Sequence, residues 1–236
     1  MKPKTQLIVA LDTDSLKQAK QTVDTLSSLV SYFKVGSQLF TACGPAAVKM
    51  IKDAGGSVFL DLKFHDIPNT VAKAALSVLE LGVSMFNVHA LGGKIMLTEM
   101  VKAVDKEFRN SKAKRPLILG VTILTSFNRQ QLNSIGIMRS VKNEVAYLAR
   151  LCKGCGLDGV VCSGHELELL RRVTGKNFVL VVPGVRPKKS ESFDQKRIVT
   201  PEEAVRLGAD FIVVGRPITA SSDPLKSAQD IINQLN

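Results

Sequence analysis

Phe178-Val179-Leu180-Val181-Val182 is five apolar residues in a row, three of them β-branched. A run this short is brief for a helix. Without polar alternation it is not a strand with one face in water, so it reads as a strand covered on both faces. Working outward, runs of the same kind recur at 7–11, 32–35, 58–62, 85–88, 117–121, 159–162 and 211–214, which makes eight. Helix-like segments fill the intervals, at 14–29, 37–54, 68–81, 92–108, 140–153, 164–172, 200–207 and 223–234. Thr200-Pro201-Glu202-Glu203 has a capping Thr, a Pro at the first helical position and a Glu three residues on, and Ser222-Asp223-Pro224 marks another start. Gly82 and Gly208 suit helix ends.

Eight strand-helix units in 236 residues come to about 30 residues each, near the minimum βα unit and close to the total for an eightfold barrel. The expected class is therefore α/β, a single (β/α)8 TIM barrel with residues 1–236 as one domain. A doubly wound open sheet is the alternative, because periodicity carries no information on closure. No Gly-x-Gly-x-x-Gly follows the first run, which weakens its dinucleotide-binding form.

Composition narrows the function classes. Hydrophobic residues at 45% and charged residues at 22% exclude a disordered or fibrous chain. The apolar run at 7–11 is shorter than a signal-peptide core, and no run approaches the length of a membrane span. Four irregularly placed cysteines make no disulfide framework, so the expected compartment is the reducing cytoplasm. Cys152-x-x-Cys155 closes a helical stretch where a redox pair would open one, and reads as two small core residues. The net charge of +11, from 32 Lys and Arg against 21 Asp and Glu, asks for an anionic partner. Basic residues are spread along the chain, aromatics are 5% and Trp is absent, so stacking platforms for a nucleic acid are scarce.

In a barrel the chemistry lies at the C-terminal ends of the strands. The polar residues there are Asp12, Lys34, Asp61, Lys63, His89, Thr125, Ser126, Arg186, Gly215 and Arg216. Asp61 and Lys63 are two apart and share one face of the third strand, with Lys34 on the neighbouring second strand. Buried charges of this kind persist only when paired, and an alternating Lys-Asp-Lys-Asp array with Asp66 as its fourth member is locally neutral. A layer of purely structural ion pairs is the blander reading; barrel interiors are mostly branched apolar side chains, which weighs against it. His65, His89 and His165 are read as structural histidines and left out of the site.

Asp61-Leu62-Lys63-Phe64-His65-Asp66-Ile67-Pro68-Asn69-Thr70 is Asp-x-Lys-x-x-Asp followed by Ile-Pro-Asn-Thr, and it resembles the signature of the orotidine 5′-phosphate decarboxylase family. The resemblance spans the chain: Ala10-Leu11-Asp12, Phe33-Lys34-Val35-Gly36, Val121 to Ser126, Val182 to Pro187 and Val214 to Thr219 look like the family's other strand-end motifs, in order. Phe64 and His65 fill slots where the family varies.

The resemblance implies cofactor-independent decarboxylation of orotidine 5′-monophosphate to uridine 5′-monophosphate in pyrimidine synthesis, with neither metal nor organic cofactor. It implies a catalytic set of Lys34, Asp61, Lys63 and Asp66, with Lys63 donating the proton and Asp61 beside the departing carboxylate. Asp66 and Thr70 would be contributed across the interface of a homodimer. Lys34 and Asp12 would meet the ribose, Thr125 and Ser126 the base, Arg186, Gln195, Gly215 and Arg216 would surround the phosphate, and Pro183 would be a further substrate contact. The implied partners are a small nucleotide and a second copy of the chain, with no nucleic acid and no membrane.

Elementary chemistry agrees with those roles. Loss of carbon dioxide leaves a carbanion with no adjacent carbonyl, so a fixed cation near that carbon is the available stabilisation. The stretch 183–199 is the longest polar connection after a strand, carries Lys188, Lys189, Ser190 and Gln195, and reads as a lid. Related Asp-x-Lys-x-x-Asp barrels that use magnesium and an enediolate, such as 3-keto-gulonate 6-phosphate decarboxylase or hexulose phosphate synthase, compete with this reading; the Ile67-Pro68-Asn69-Thr70 continuation favours the nucleotide reaction.

Overall fold

The computed structural model describes residues 5–109, 111–186 and 199–235. Eight parallel strands follow the eight apolar runs: β1 (Gln6–Ala10), β2 (Tyr32–Gly36), β3 (Ser57–Phe64), β4 (Met85–His89), β5 (Leu117–Val121), β6 (Gly159–Val161), β7 (Val179–Pro183) and β8 (Phe211–Val214). Each pairs with its neighbours in chain order, and β1 pairs with β8 through Gln6↔Phe211 to Val9↔Val214, so the sheet is a closed barrel. That last pairing removes the open-sheet alternative.

The helices form the outer layer: α1 (Leu16–Leu26), α2 (Ser37–Cys43), α3 (Pro45–Asp53), α4 (Pro68–Glu80), α5 (Gly93–Phe108), α6 (Arg129–Ser134), α7 (Val141–Gly154), α8 (Leu167–Thr174), α9 (Pro201–Arg206), α10 (Arg216–Thr219) and α11 (Pro224–Asn233). The helix expected across 37–54 is two. Gly44 takes φ +58 and Pro45 opens the second, because the residue before a proline is pushed out of the helical region. The short α6 and α10 are additions to the expected set; α6 starts on a capping box between Asn128 and Gln131. No helix among the described residues is long and apolar enough to cross a membrane.

The strands lack alternation because both faces are buried in separate cores. Ile8, Ala10, Phe59, Met85, Leu119, Val181 and Val213 fill the barrel interior, while Leu7, Val9, Phe33, Val58, Leu60, Phe86, Leu180 and Ile212 face the helices. Gly159 faces the interior at a tight point: a Cβ there would stand 2.2 Å from the Val179 carbonyl oxygen.

Two matching clasps close the rim where the strands begin. Asp158, just before β6, accepts the Ile118 N–H of β5 (2.7 Å) and the Arg115 guanidinium (2.6 Å). Asp210, just before β8, accepts the Leu180 N–H of β7 (2.8 Å) and pairs with Arg171, which also donates to the Phe178 and Gly208 carbonyls at 2.6 Å each. Arg171→Ala removes its bonds to Asp210, Phe178 and Gly208 at partly buried positions, and the expected loss is about 2–4 kcal/mol in urea unfolding. Ligand binding at the opposite rim should be unchanged, as titration of the folded variant would show.

Candidate active site

The positions that fill the barrel also set what reaches its mouth, because side chains alternate along a strand. Continuing the inward phase, Ile8 and Ala10 lead to Asp12, Tyr32 to Lys34, Phe59 to Asp61 and Lys63, Met85 to Asn87 and His89, Val181 to Pro183, and Val213 to Gly215. Asp12, Lys34, Asp61, Lys63, Thr125, Pro183, Arg186, Gly215 and Arg216 line one cavity of about 270 Å³, with Phe59, Val161 and Val213 among its apolar walls.

A charge cluster forms one wall. Lys63 Nζ lies 2.7 Å from Asp61 Oδ1 and Lys34 Nζ 3.6 Å from Asp61 Oδ2, while Lys34 donates to Asp12 Oδ1 at 2.9 Å. The Asp61 side chain is only 14% exposed. Burial alone would raise its pKa, but Lys34, Lys63 and the hydrogen bonds from Lys63 and Asn87 together outweigh burial and hold the carboxyl below 3.8, so it is ionised throughout the neutral range. Gly36 makes room for this cluster, since a Cβ there would stand 2.9 Å from Lys34 Nζ.

The backbone beneath the cluster is irregular. Leu60 pairs with Phe86 and Phe64 with Val88, so β3 carries two more residues than β4 between those points. Lys63, inside this bulge, has φ +53, the single left-handed non-glycine among the described residues. Simple alternation thus brings Asp61 and Lys63 to the correct partners, but the contact is made across a bulge rather than along a regular strand. Asn87, fully buried opposite the bulge, accepts the Lys63 backbone N–H (2.8 Å) and donates to Asp61 Oδ1 (2.7 Å). The sequence reading passed over Asn87; the signal was an amide inside Met85-Phe86-Asn87-Val88.

The remaining expected residues divide into those at the cavity and those away from it. Within one chain Asp66 does not complete the lysine-aspartate array: its carboxylate accepts the Ile67 N–H at 2.6 Å on an exposed loop, and Asp12 is the fourth member instead. Thr70 and Ser126 are also outside the cavity lining, whereas Thr125 lines it. Arg186 is buried and Arg216 exposed at the β7 and β8 side. Gln195, with Lys188, Lys189 and Ser190 of the expected lid, lies outside the described residues; the two flanks of that stretch meet through Val185 and Val199.

His65 and His89 stack with ring centroids 5.3 Å apart, and His89 Nδ1 accepts the Leu91 N–H at 3.4 Å. Burial, then His65 and Lys63, push His89 down to about 4, so it is neutral near pH 7. Cys152 and Cys155 are buried at the end of α7, and burial pushes the Cys152 thiol up to about 12, which is the chemistry of a core residue. Among the described residues no group of three or more His, Cys, Asp and Glu is arranged to hold a metal ion.

Comparison with known proteins places this geometry in a family context. The chain matches the model of the Orotidine 5′-phosphate decarboxylase / HUMPS family over residues 5–231. An orotidine 5′-phosphate decarboxylase of Syntrophotalea carbinolica is 54% identical over 230 residues, covering 98% of this chain and 94% of the relative. One from Moorella thermoacetica is 50% identical over 236 residues, covering 100% and 94%. The crystal structure of orotidine 5′-phosphate decarboxylase from Lactobacillus acidophilus superposes with a TM-score of 0.86 at 35% identity, covering 98% of this chain and 99% of that one.

The depressed His89 pKa has a consequence for stability. Between pH 6.5 and about 4 the unfolded chain binds a proton at this position and the folded chain does not, so folding stability falls as pH is lowered through that window. His89→Gln should flatten this slope relative to wild type in denaturation curves taken between pH 4 and 7.

Proposed function

We propose a function from one premise: the chain belongs to the orotidine 5′-phosphate decarboxylase / HUMPS family. It is a carboxy-lyase that converts orotidine 5′-monophosphate to uridine 5′-monophosphate and carbon dioxide in pyrimidine synthesis. Relatives at 48 to 54% identity all carry the decarboxylase name, which separates this reaction from that of the magnesium-using barrels.

The observation that carries the residue assignment is a mostly buried carboxylate kept ionised between two lysines in the wall of the mouth cavity. In our reading the substrate carboxylate faces Asp61, and the carbon that loses it faces Lys63. The carbon-carbon bond breaks, its electron pair stays on the ring carbon, and carbon dioxide leaves. The Lys63 ammonium stabilises that pair and then transfers a proton to it, and the neutral amine recovers its proton from solvent. Two unit charges 4 Å apart are worth about 4 kcal/mol at an effective dielectric of 20, or about three powers of ten in rate. The rest of the acceleration is assigned to binding the remote phosphate, whose energy holds the reacting group in place. Arg186, Gly215 and Arg216 line the cavity on the β7 and β8 side, where barrels commonly receive phosphate, and Gln195 is assigned to the same group. Lys34 and Asp12 are assigned to the ribose hydroxyls, and Thr125, Ser126 and Pro183 to the rest of the nucleotide.

A homodimer is part of the proposal. Asp66 and Thr70 lie outside the lining of their own cavity, at an exposed loop and the start of α4; apolar Ile67 on that loop and Ile95 in the first turn of α5, which packs against α4, are 65% and 68% exposed. A second copy covering the loop and these two helix starts would bury both isoleucines and receive Asp66 and Thr70 in its site. The four cysteines are free and three are buried, which supports a cytoplasmic setting. The functional unit is taken to be the whole chain as one domain.

Purified protein treated with a chelator should consume orotidine 5′-monophosphate, followed by its absorbance, and Lys63→Ala should lose about three powers of ten in kcat or more. Near-normal turnover by a folded Lys63→Ala variant would sink the assignment. For the shared site, mixing equal amounts of inactive Lys63→Ala and Asp66→Asn should restore about a quarter of wild-type activity, because half the dimers are then hybrids with one intact site. No recovery after subunit exchange would reject the transfer of Asp66.

A further inference from the structure

We propose that Asn87 is a positioning residue for the decarboxylation, holding both the backbone and the counter-charge of Lys63 in the reacting geometry. The inference rests on the functional reading above and adds a residue to it.

An amide in the middle of an apolar strand is costly unless both of its ends are satisfied. Asn87 is fully buried, and both ends are spent on the β3 bulge. The arrangement permits one orientation of the side chain: its oxygen alone can accept the Lys63 N–H, and its NH2 alone can donate to the Asp61 carboxylate. Turned over, it would set two donors face to face and two acceptors face to face.

Each contact answers a problem the bulge creates. Two extra residues in β3 interrupt the ladder to β4 at Lys63, whose backbone N–H then needs another acceptor, and Asn87 Oδ1 supplies it at 2.8 Å. The same bond holds Lys63 at φ +53, a conformation that persists only where its surroundings enforce it. On the other side, Asp61 Oδ1 receives both Lys63 Nζ and Asn87 Nδ2 at 2.7 Å, leaving Oδ2 toward Lys34 at 3.6 Å. One side chain therefore sets where the Lys63 side chain begins and where its ammonium ends, without lining the cavity itself.

The test uses the full-length enzyme and separates positioning from folding. Asn87→Leu removes both bonds at similar volume. Because small misplacements of a reacting group are expensive, kcat should fall by about 10- to 100-fold. KM and inhibition by uridine 5′-monophosphate should stay within about threefold, since the proposed ribose and phosphate contacts are untouched. Asn87→Asp supplies an internal rescue. With one proton shared between the introduced carboxyl and Asp61, the new group reproduces the asparagine pattern, accepting from the Lys63 N–H and donating to Asp61. A like-charge pair holds such a proton to higher pH than a single carboxyl does. The kcat of Asn87→Asp should therefore be closest to wild type at low pH and fall as the pair loses its proton, a limb absent from the wild-type profile. A folded Asn87→Leu enzyme with kcat within about threefold of wild type, or one losing kcat and nucleotide binding in parallel, would overturn the proposal. If Asn87→Leu does not fold, an Asn87→Asp profile parallel to wild type does the same. Absence of turnover in the wild type itself would instead reject the functional reading, and the positioning role with it.

Discussion

A carboxylate at the top of an apolar barrel interior has to be compensated on every side, and the arrangement of the mouth follows from that requirement. Asp61 is 14% exposed and charged, which is tolerable because Lys34, Lys63 and Asn87 converge on its two oxygens. Each partner then imposes a condition of its own. Lys34 needs the space that Gly36 leaves by lacking a Cβ, and it needs Asp12 to balance its charge. Lys63 needs a bulge and a left-handed backbone to turn its ammonium back onto Asp61, and Asn87 fills the gap that the bulge opens. The cluster is a set of mutual dependencies, consistent with the rule that buried polar networks hold when every member is satisfied.

The barrel divides this work between its two rims. At the rim where the strands begin, Asp158 with Arg115 and Asp210 with Arg171 tie adjacent strands together, and these four side chains are committed to other protein groups. At the rim where the strands end, Lys34, Lys63, Arg186 and Arg216 bring positive charge to a cavity. The chain as a whole carries an excess of eleven positive charges, and an excess of that sign favours the approach of anions.

Much of this was legible because its cause is local. Eight apolar runs became eight strands, since a run without alternation has no face to give to water. The inward phase carried Asp12, Lys34, Asp61 and Gly215 to the mouth by alternation alone, and Asp61 and Lys63 did meet. Other features have causes outside their own segment. The expected helix at 37–54 broke at Gly44-Pro45, which local chemistry foretold but the apolar pattern hid. Asn87 passed for an ordinary strand residue, because its purpose lies in a neighbouring strand that is two residues too long for it. Asp66 completes no array within its own chain, where its carboxylate accepts the Ile67 N–H on an exposed loop; its expected place is in a second copy's site, which spacing along one chain does not record.

By itself, then, the amino-acid order determined the strand count, the inward and outward faces, and the identity of the charges at the strand ends, because each depends on spacing of two along an extended chain. Only the tertiary structure decided that the sheet closes, that the lysine-aspartate contact runs through a strained bulge, and that Asn87 is the residue supporting it. Closure depends on β1 meeting β8 from opposite ends of the chain, and the bulge depends on a register between β3 and β4. Both are pairings between distant segments, and no periodicity within either segment records them.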